Sequence, residues 1–213
     1  MTISIKPTPV QLLQSGHYQK IAEIDIFQPT QFFQQYSRNS TFLTTFLLLT
    51  IAGFGLMGAL TGLAIVRGMA LWQMLWNVCL FAAFLLLILL PFHELIHAVT
   101  YKYFGAANIR FLFSLKPPAI FTCAHLLVIN LIEVIWLAAL PCVVISLLLV
   151  ASAFFVPAYR LFFGWALIVH AFCCLGDMIL ISYAQKNRHK PIYNFDDLTE
   201  GKSYFFERTF PTQ

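Results

Sequence analysis

The sequence predicts an all-α membrane protein with four transmembrane helices and a small interfacial β-hairpin between the second and third. Three observations carry that expectation. Hydrophobic residues make up 60% of the chain and charged residues 10%, against about 25% charged in a soluble domain. Four apolar stretches reach the roughly 20 residues that span a hydrocarbon core. Between the second and third of them the chain reads as strand, turn, strand from Ile109 to His125.

The spans fall near 42–66, 71–101, 131–156 and 160–184. In the first, Gly58 with Gly62 and Gly55 with Ala59 form small-xxx-small pairs that suit close helix approach. The second is too long for one untilted crossing, so its C-terminal end is expected to reach the headgroups or project beyond them. In the hairpin, Ile109, Phe111, Phe113 and Leu115 alternate with Arg110, Leu112, Ser114 and Lys116 before Pro117-Pro118 breaks the run. A further strand candidate, Ala22-Ile24-Ile26 alternating with Glu23 and Asp25, is placed to join it. The tail beyond Lys190 interleaves Asp196, Asp197, Glu200 and Glu207 with Tyr193, Phe195, Tyr204, Phe205 and Phe206. It is expected to pack under the bundle with its charges facing solvent. The organisation that results is an N-terminal segment 1–41, a membrane domain 42–184 and a tail 185–213.

Charge sets the orientation. Lys6, Lys20 and Arg38 precede the first span; Lys102, Arg110 and Lys116 follow the second; Lys186, Arg188, Lys190, Lys202 and Arg208 follow the fourth. The other two loops carry only Arg67 and Arg160. Eleven basic residues against two place both termini and the long middle loop in the cytoplasm. No short apolar core precedes a small-residue cleavage site in the first forty residues, so the first span is expected to remain as an anchor. A formal charge of +4 is too small to suggest a nucleic-acid partner. The five cysteines, Cys79, Cys123, Cys142, Cys173 and Cys174, are odd in number and mostly in apolar segments, which argues against a disulfide framework.

One cluster of ionisable residues stands out against this background. His93-Glu94-Leu95-Ile96-His97 lies inside the second apolar run, where a charged side chain at a helix centre costs about 2.5–3.5 kcal/mol. Positions i and i+4 share a helix face, so His93 and His97 can turn ring nitrogens to one metal ion. Glu94 follows the first ligand as a candidate general base toward an attacking water. A catalytic zinc site needs a third protein ligand and an open position, and the acids left within the apolar helices are Glu133 and Asp177. Glu133 begins the third span and suits the interface. Asp177 lies nine residues before Lys186, as His93 lies nine before Lys102, so both sit about 13 Å along their helices from a cytoplasmic marker. His170, seven residues before Asp177, is then about 10 Å farther in and reads as a supporting or packing residue. Cys173 and Cys174 complete a polar stripe with His170 and Asp177; a thiolate ligand there would make the site more closed and structural. Two imidazoles and a carboxylate suit several divalent ions.

With His93-Glu94-x-x-His97, the helix-embedded Gly176-Asp177, the intervening hairpin and Pro141 in the third span, the chain resembles the small bacterial membrane proteins classed as putative zincin peptidases. The resemblance runs from about residue 40 to the acidic tail, and implies His93, His97 and Asp177 as zinc ligands and Glu94 as catalytic acid/base. The chain is also distantly similar to the site-2 intramembrane metalloproteases, from which it departs: its aspartate follows a glycine instead of preceding one, and no Asn-x-x-Pro approach is present. The expected activity is zinc-dependent hydrolysis of peptide bonds near the cytoplasmic membrane boundary, on a protein or peptide substrate. The rival readings are a membrane adaptor with a structural metal site and a proton- or metal-transport protein.

Overall fold

The computed structural model describes residues 6–37, 40–115 and 118–209; Arg38, Lys116 and Pro117, which entered the charge sorting and the turn assignment, lie outside the described residues. Among the described residues, three helices are long and apolar enough to cross a membrane: Thr41–Val66, Trp72–Tyr103 and Leu131–Phe155. A fourth crossing exists if Pro157–Cys173 and Leu175–Lys186, bent by 50°, count as one span. Their outward faces are unpartnered apolar side chains, Leu48, Leu49, Leu86, Leu87, Leu147 and Phe154 among them. In water so much exposed hydrocarbon would be an aggregation liability; a lipid solvent removes the penalty.

In chain order the helices are α1 (Pro9–Gln14), α2 (Thr30–Ser37), α3 (Thr41–Val66), α4 (Leu71–Phe84), α5 (Leu90–Tyr103), α6 (Leu131–Phe155), α7 (Arg160–Cys173) and α8 (Leu175–Lys186). Two of the long helices, α3 and α6, start where the sequence supplies a side-chain cap. The Ser40 hydroxyl accepts the Leu43 N–H at 3.2 Å. Asn130 accepts the N–H groups of Ile132 and Glu133 at 2.9 and 3.0 Å, while the Glu133 carboxylate takes the Asn130 N–H at 2.9 Å. Such reciprocal capping satisfies donors that the first helical turn leaves free. Glu133 also pairs with Lys6 at 2.6 Å, and so serves the start of α6.

Two prolines shape the helices that matter most. Pro91 lacks the N–H that would reach the carbonyl four residues back, and its ring crowds that carbonyl. The chain answers with a π turn over Leu85–Leu89, between α4 and α5; widened turns of this kind relieve a helix at such an obstruction. Pro141 lies inside α6 and leaves the Leu137 carbonyl without its helical partner.

The glycine expectation is corrected. A Cβ on Gly55, Gly58 or Gly62 would meet nothing within 4 Å, whereas one on Gly53 would fall 2.4 Å from Ile168 Cδ1 and one on Gly164 2.7 Å from Met57 Cε. The tight α3–α7 approach therefore uses Gly53 and Gly164, one glycine from each helix, and the small-residue pairs face away from it.

The strands are β1 (Tyr18–Asp25), β2 (Ile109–Leu115), β3 (Pro118–Ala124), β4 (Ile129–Asn130), β5 (Ile192–Asp197) and β6 (Lys202–Arg208). The expected hairpin forms as β2–β3, in register from Ile109 opposite Ala124 to Leu115 opposite Pro118. The all-α expectation is incomplete, because a second, four-stranded antiparallel sheet in the order β1-β6-β5-β4 joins both ends of the chain. β1 pairs with β6 of the tail and not with the β2–β3 hairpin. Strand alternation explains how the tail is held. Phe205 and Ile192 pack on Phe32 and Tyr183, toward the helices, while Phe195, Tyr204 and Phe206 pack on Leu12 of α1. A fully buried aromatic or aliphatic side chain contributes about 1.5–3 kcal/mol, so burial on both faces outweighs the hydration of a polar tail. Asp196 is accordingly buried at 8% exposure, contrary to the expectation that the tail's charges all face solvent.

Candidate metal centre

His93, Glu94 and His97 follow the π turn on α5 and are buried, with 6%, 8% and 8% of their surface exposed. The i, i+4 spacing does what helical geometry requires: the Nε2 atoms of His93 and His97 are 3.1 Å apart. Asp177, in the first turn of α8, brings Oδ2 to 3.3 Å from His93 Nε2 and 3.6 Å from His97 Nε2. Tetrahedral zinc with bonds of about 2.0–2.2 Å to imidazole nitrogen and carboxylate oxygen sets its ligand atoms about 3.3–3.6 Å apart. The three separations cover that span, so the residues present fit such an ion. His93, Glu94 and His97 also offer donor atoms all within 4.8 Å of one another.

The other nitrogen of each ring has a partner as well. His93 Nδ1 lies 3.1 Å from His170 Nε2, and Cys174 Sγ lies 3.6 Å from that same Nε2 and 4.0 Å from His93 Nδ1. The depth ruler assumed one continuous fourth helix and set His170 deeper in the bundle. The chain instead bends by 50° at Cys174, with no proline at the bend and Gly176 two residues beyond, and His170 packs fully buried against His93. Gly176-Asp177 thus opens a short helix and does not sit midway along a long one. For His97, the hydrogen-bond acceptor is the Leu137 carbonyl, the group that Pro141 leaves free in α6. Cys173 is exposed and Cys174 buried; all five cysteines are free thiols.

Thr122 of β3 is a site residue that sequence reasoning missed. Its hydroxyl donates to Glu94 Oε2 at 2.9 Å and lies 3.1 Å from the Glu94 carbonyl oxygen. The hairpin was legible, but nothing in the alternation of β3 marks Thr122 as facing α5. Asp196 was missed in the same way. Burial pushes its carboxyl above the ordinary value, opposed by hydrogen bonds from Ser203, the Ala124 backbone, Tyr101 and Cys123.

These groups line one cavity of about 320 Å³. His93, Glu94, His97, Gly176 and Asp177 form its floor; apolar side chains of β1, α2, the hairpin, α6 and β6 form most of its walls, with the polar Ser114, Thr122, Asn194, Asp196 and Ser203 among them. No curated protein and no solved structure matches the chain. A family model described as putative zincin peptidase matches residues 84–190, half of the chain and the stretch that contains α5, the hairpin, α6, α7 and α8. The chain belongs to this putative zincin peptidase family.

Proposed function

We propose that the protein is a zinc-dependent, membrane-embedded endopeptidase that hydrolyses peptide bonds near the cytoplasmic membrane boundary. The observation that carries this reading is the triangle of His93 Nε2, His97 Nε2 and Asp177 Oδ2, 3.1–3.6 Å on a side, on the floor of a cavity it shares with Glu94. His93, His97 and Asp177 would hold the ion. Bound there, zinc would supply Lewis acidity toward the scissile carbonyl and the attacking water.

The remaining chemistry falls to the chain. Glu94 accepts a proton from the water as its oxygen adds to the carbonyl carbon, then returns that proton to the amine nitrogen as the C–N bond breaks. Thr122 holds one oxygen of Glu94 and leaves the other free to receive the proton. The apolar walls keep bulk water from the site, which strengthens each polar contact inside it. A structural zinc site would be closed by four protein ligands; a cavity reaching the triangle favours catalysis over the adaptor reading.

Two features support the boundary placement. The basic residues sort eleven to two, with both termini on the basic side. Beside the site the hairpin exposes Phe111, Phe113 and Ile120, apolar groups suited to the headgroup–acyl boundary.

Both ring orientations are fixed from behind. With Nε2 given to the ion, His93 keeps its proton on Nδ1 and donates it to His170 Nε2; His97 donates to the Leu137 carbonyl. Outer partners of this kind set tautomer and ligand basicity.

Three outcomes are expected of purified full-length protein. Glu94→Gln retains zinc and loses peptide cleavage by about 10²–10⁴-fold; unchanged turnover would reject the mechanism. His170→Leu weakens zinc binding by about 10–100-fold, read by chelator competition, while His170→Gln, which keeps an acceptor, lies closer to the parent. Pro141→Ala restores an N–H that competes for the Leu137 carbonyl, so it weakens zinc binding even as α6 becomes a more regular helix by circular dichroism.

A further inference from the structure

The cavity is larger than the proposed catalytic step needs, and most of its wall, unlike its floor, is apolar. Ile24 and Phe27 come from β1 and the turn after it, Phe33 from α2, Phe121 from β3 and Phe205 from β6. Phe33 lies 3.6 Å from where a Cβ on Gly176 would be, next to Asp177, so the apolar wall begins beside the ligand triangle. Phe121 adjoins Thr122, which holds Glu94. Phe27 caps this wall edge-on to Phe121 at 5.9 Å between ring centroids and, at 42% exposure, stands at the rim.

The charge of the lining is equally one-sided. Glu94, Asp177 and Asp196 contribute carboxyl groups, and among the described residues no lysine or arginine lines the cavity. Away from the ion that His93, His97 and Asp177 would hold, an acidic side chain among these walls would be stripped of water with no lysine or arginine to meet it, near the carboxyl groups of Glu94 and Asp196. An apolar side chain would exchange water for five aromatic or aliphatic neighbours.

We infer that this cavity is a specificity pocket that seats a large apolar side chain flanking the scissile bond and rejects aspartate and glutamate. The inference rests on the peptidase reading and adds the substrate class to it. The walls contributed by Ile24, Phe27, Phe33 and Phe205 lie outside residues 84–190, the stretch matched by the family model. Selectivity is thus built on this chain's flanks, around a reaction centre that lies inside the family stretch.

The test is cleavage-site mapping by mass spectrometry, with zinc-loaded full-length protein in detergent and an unfolded polypeptide as substrate. Phe, Leu, Ile and Met should dominate one fixed side of the cleaved bonds, at least about tenfold over Asp and Glu, the discrimination a pocket of this kind supports. Phe27→Lys places a cation at the rim and should raise cleavage beside acidic residues, a gain that misfolding cannot produce. Independently of turnover, Glu94→Gln should bind a Leu-containing blocked peptide at least about tenfold tighter than its Asp counterpart. Glu94-dependent cleavage with no preference on either side would overturn the pocket and leave the peptidase standing. If the parent protein shows no Glu94-dependent cleavage at all, the peptidase reading falls and the pocket with it.

Discussion

The approach of one carboxylate to two imidazoles across separate helices is the constraint around which this protein is arranged. Asp177 on α8 reaches 3.3 and 3.6 Å from the facing nitrogens of His93 and His97 on α5, in surroundings where water is scarce and an unmatched polar group is costly. Each nearby departure from regular helix adjusts one side of this meeting. The π turn at Leu85–Leu89 accommodates Pro91 and precedes the two histidines. The bend at Cys174 carries Asp177 in and packs His170 behind His93. Pro141 strips one carbonyl of its helical partner, and the His97 ring takes that carbonyl. Irregular backbone in apolar surroundings is tolerated where protein groups satisfy it, and here the groups that satisfy it are those of the site.

The flanks of the chain complete what the helices begin. The four-stranded sheet draws β1 from one end and β5 and β6 from the other, and clamps them through Phe32, Tyr183 and Phe205. Ring centroids there lie 4.9–5.8 Å apart. That packing holds Ile24, Phe27, Phe33 and Phe205 over the polar floor. The floor lies within the family stretch, while much of the roof lies outside it.

Much of this was legible from residues whose physics is local. Helical spacing alone puts His93 and His97 on one face, and equal distance from a cytoplasmic lysine put Asp177 at a matching height. The hairpin followed from an alternation broken only at Leu112 and ended by Pro117-Pro118. What escaped depends on contacts between distant segments. The pairing of β1 with β6 has no local signature, since Ala22-Ile24-Ile26 alternates the same way whichever edge it joins. Thr122 reads as an ordinary strand residue until β3 is laid against α5. The helix break at Cys174 carries no proline, so a ruler of 1.5 Å per residue ran straight through it and set His170 too deep. The closely packed glycines were misplaced for a similar reason: Gly53 and Gly164 belong to different helices and form no sequence motif.

Metal analysis tests the central claim most directly. Full-length protein purified in detergent, supplied with zinc and freed of excess, should carry a single zinc per chain. His97→Ala and Asp177→Ala should each lose it while keeping parental helicity by circular dichroism. A parent protein that holds no zinc, or zinc retained in full by both variants, would contradict the account.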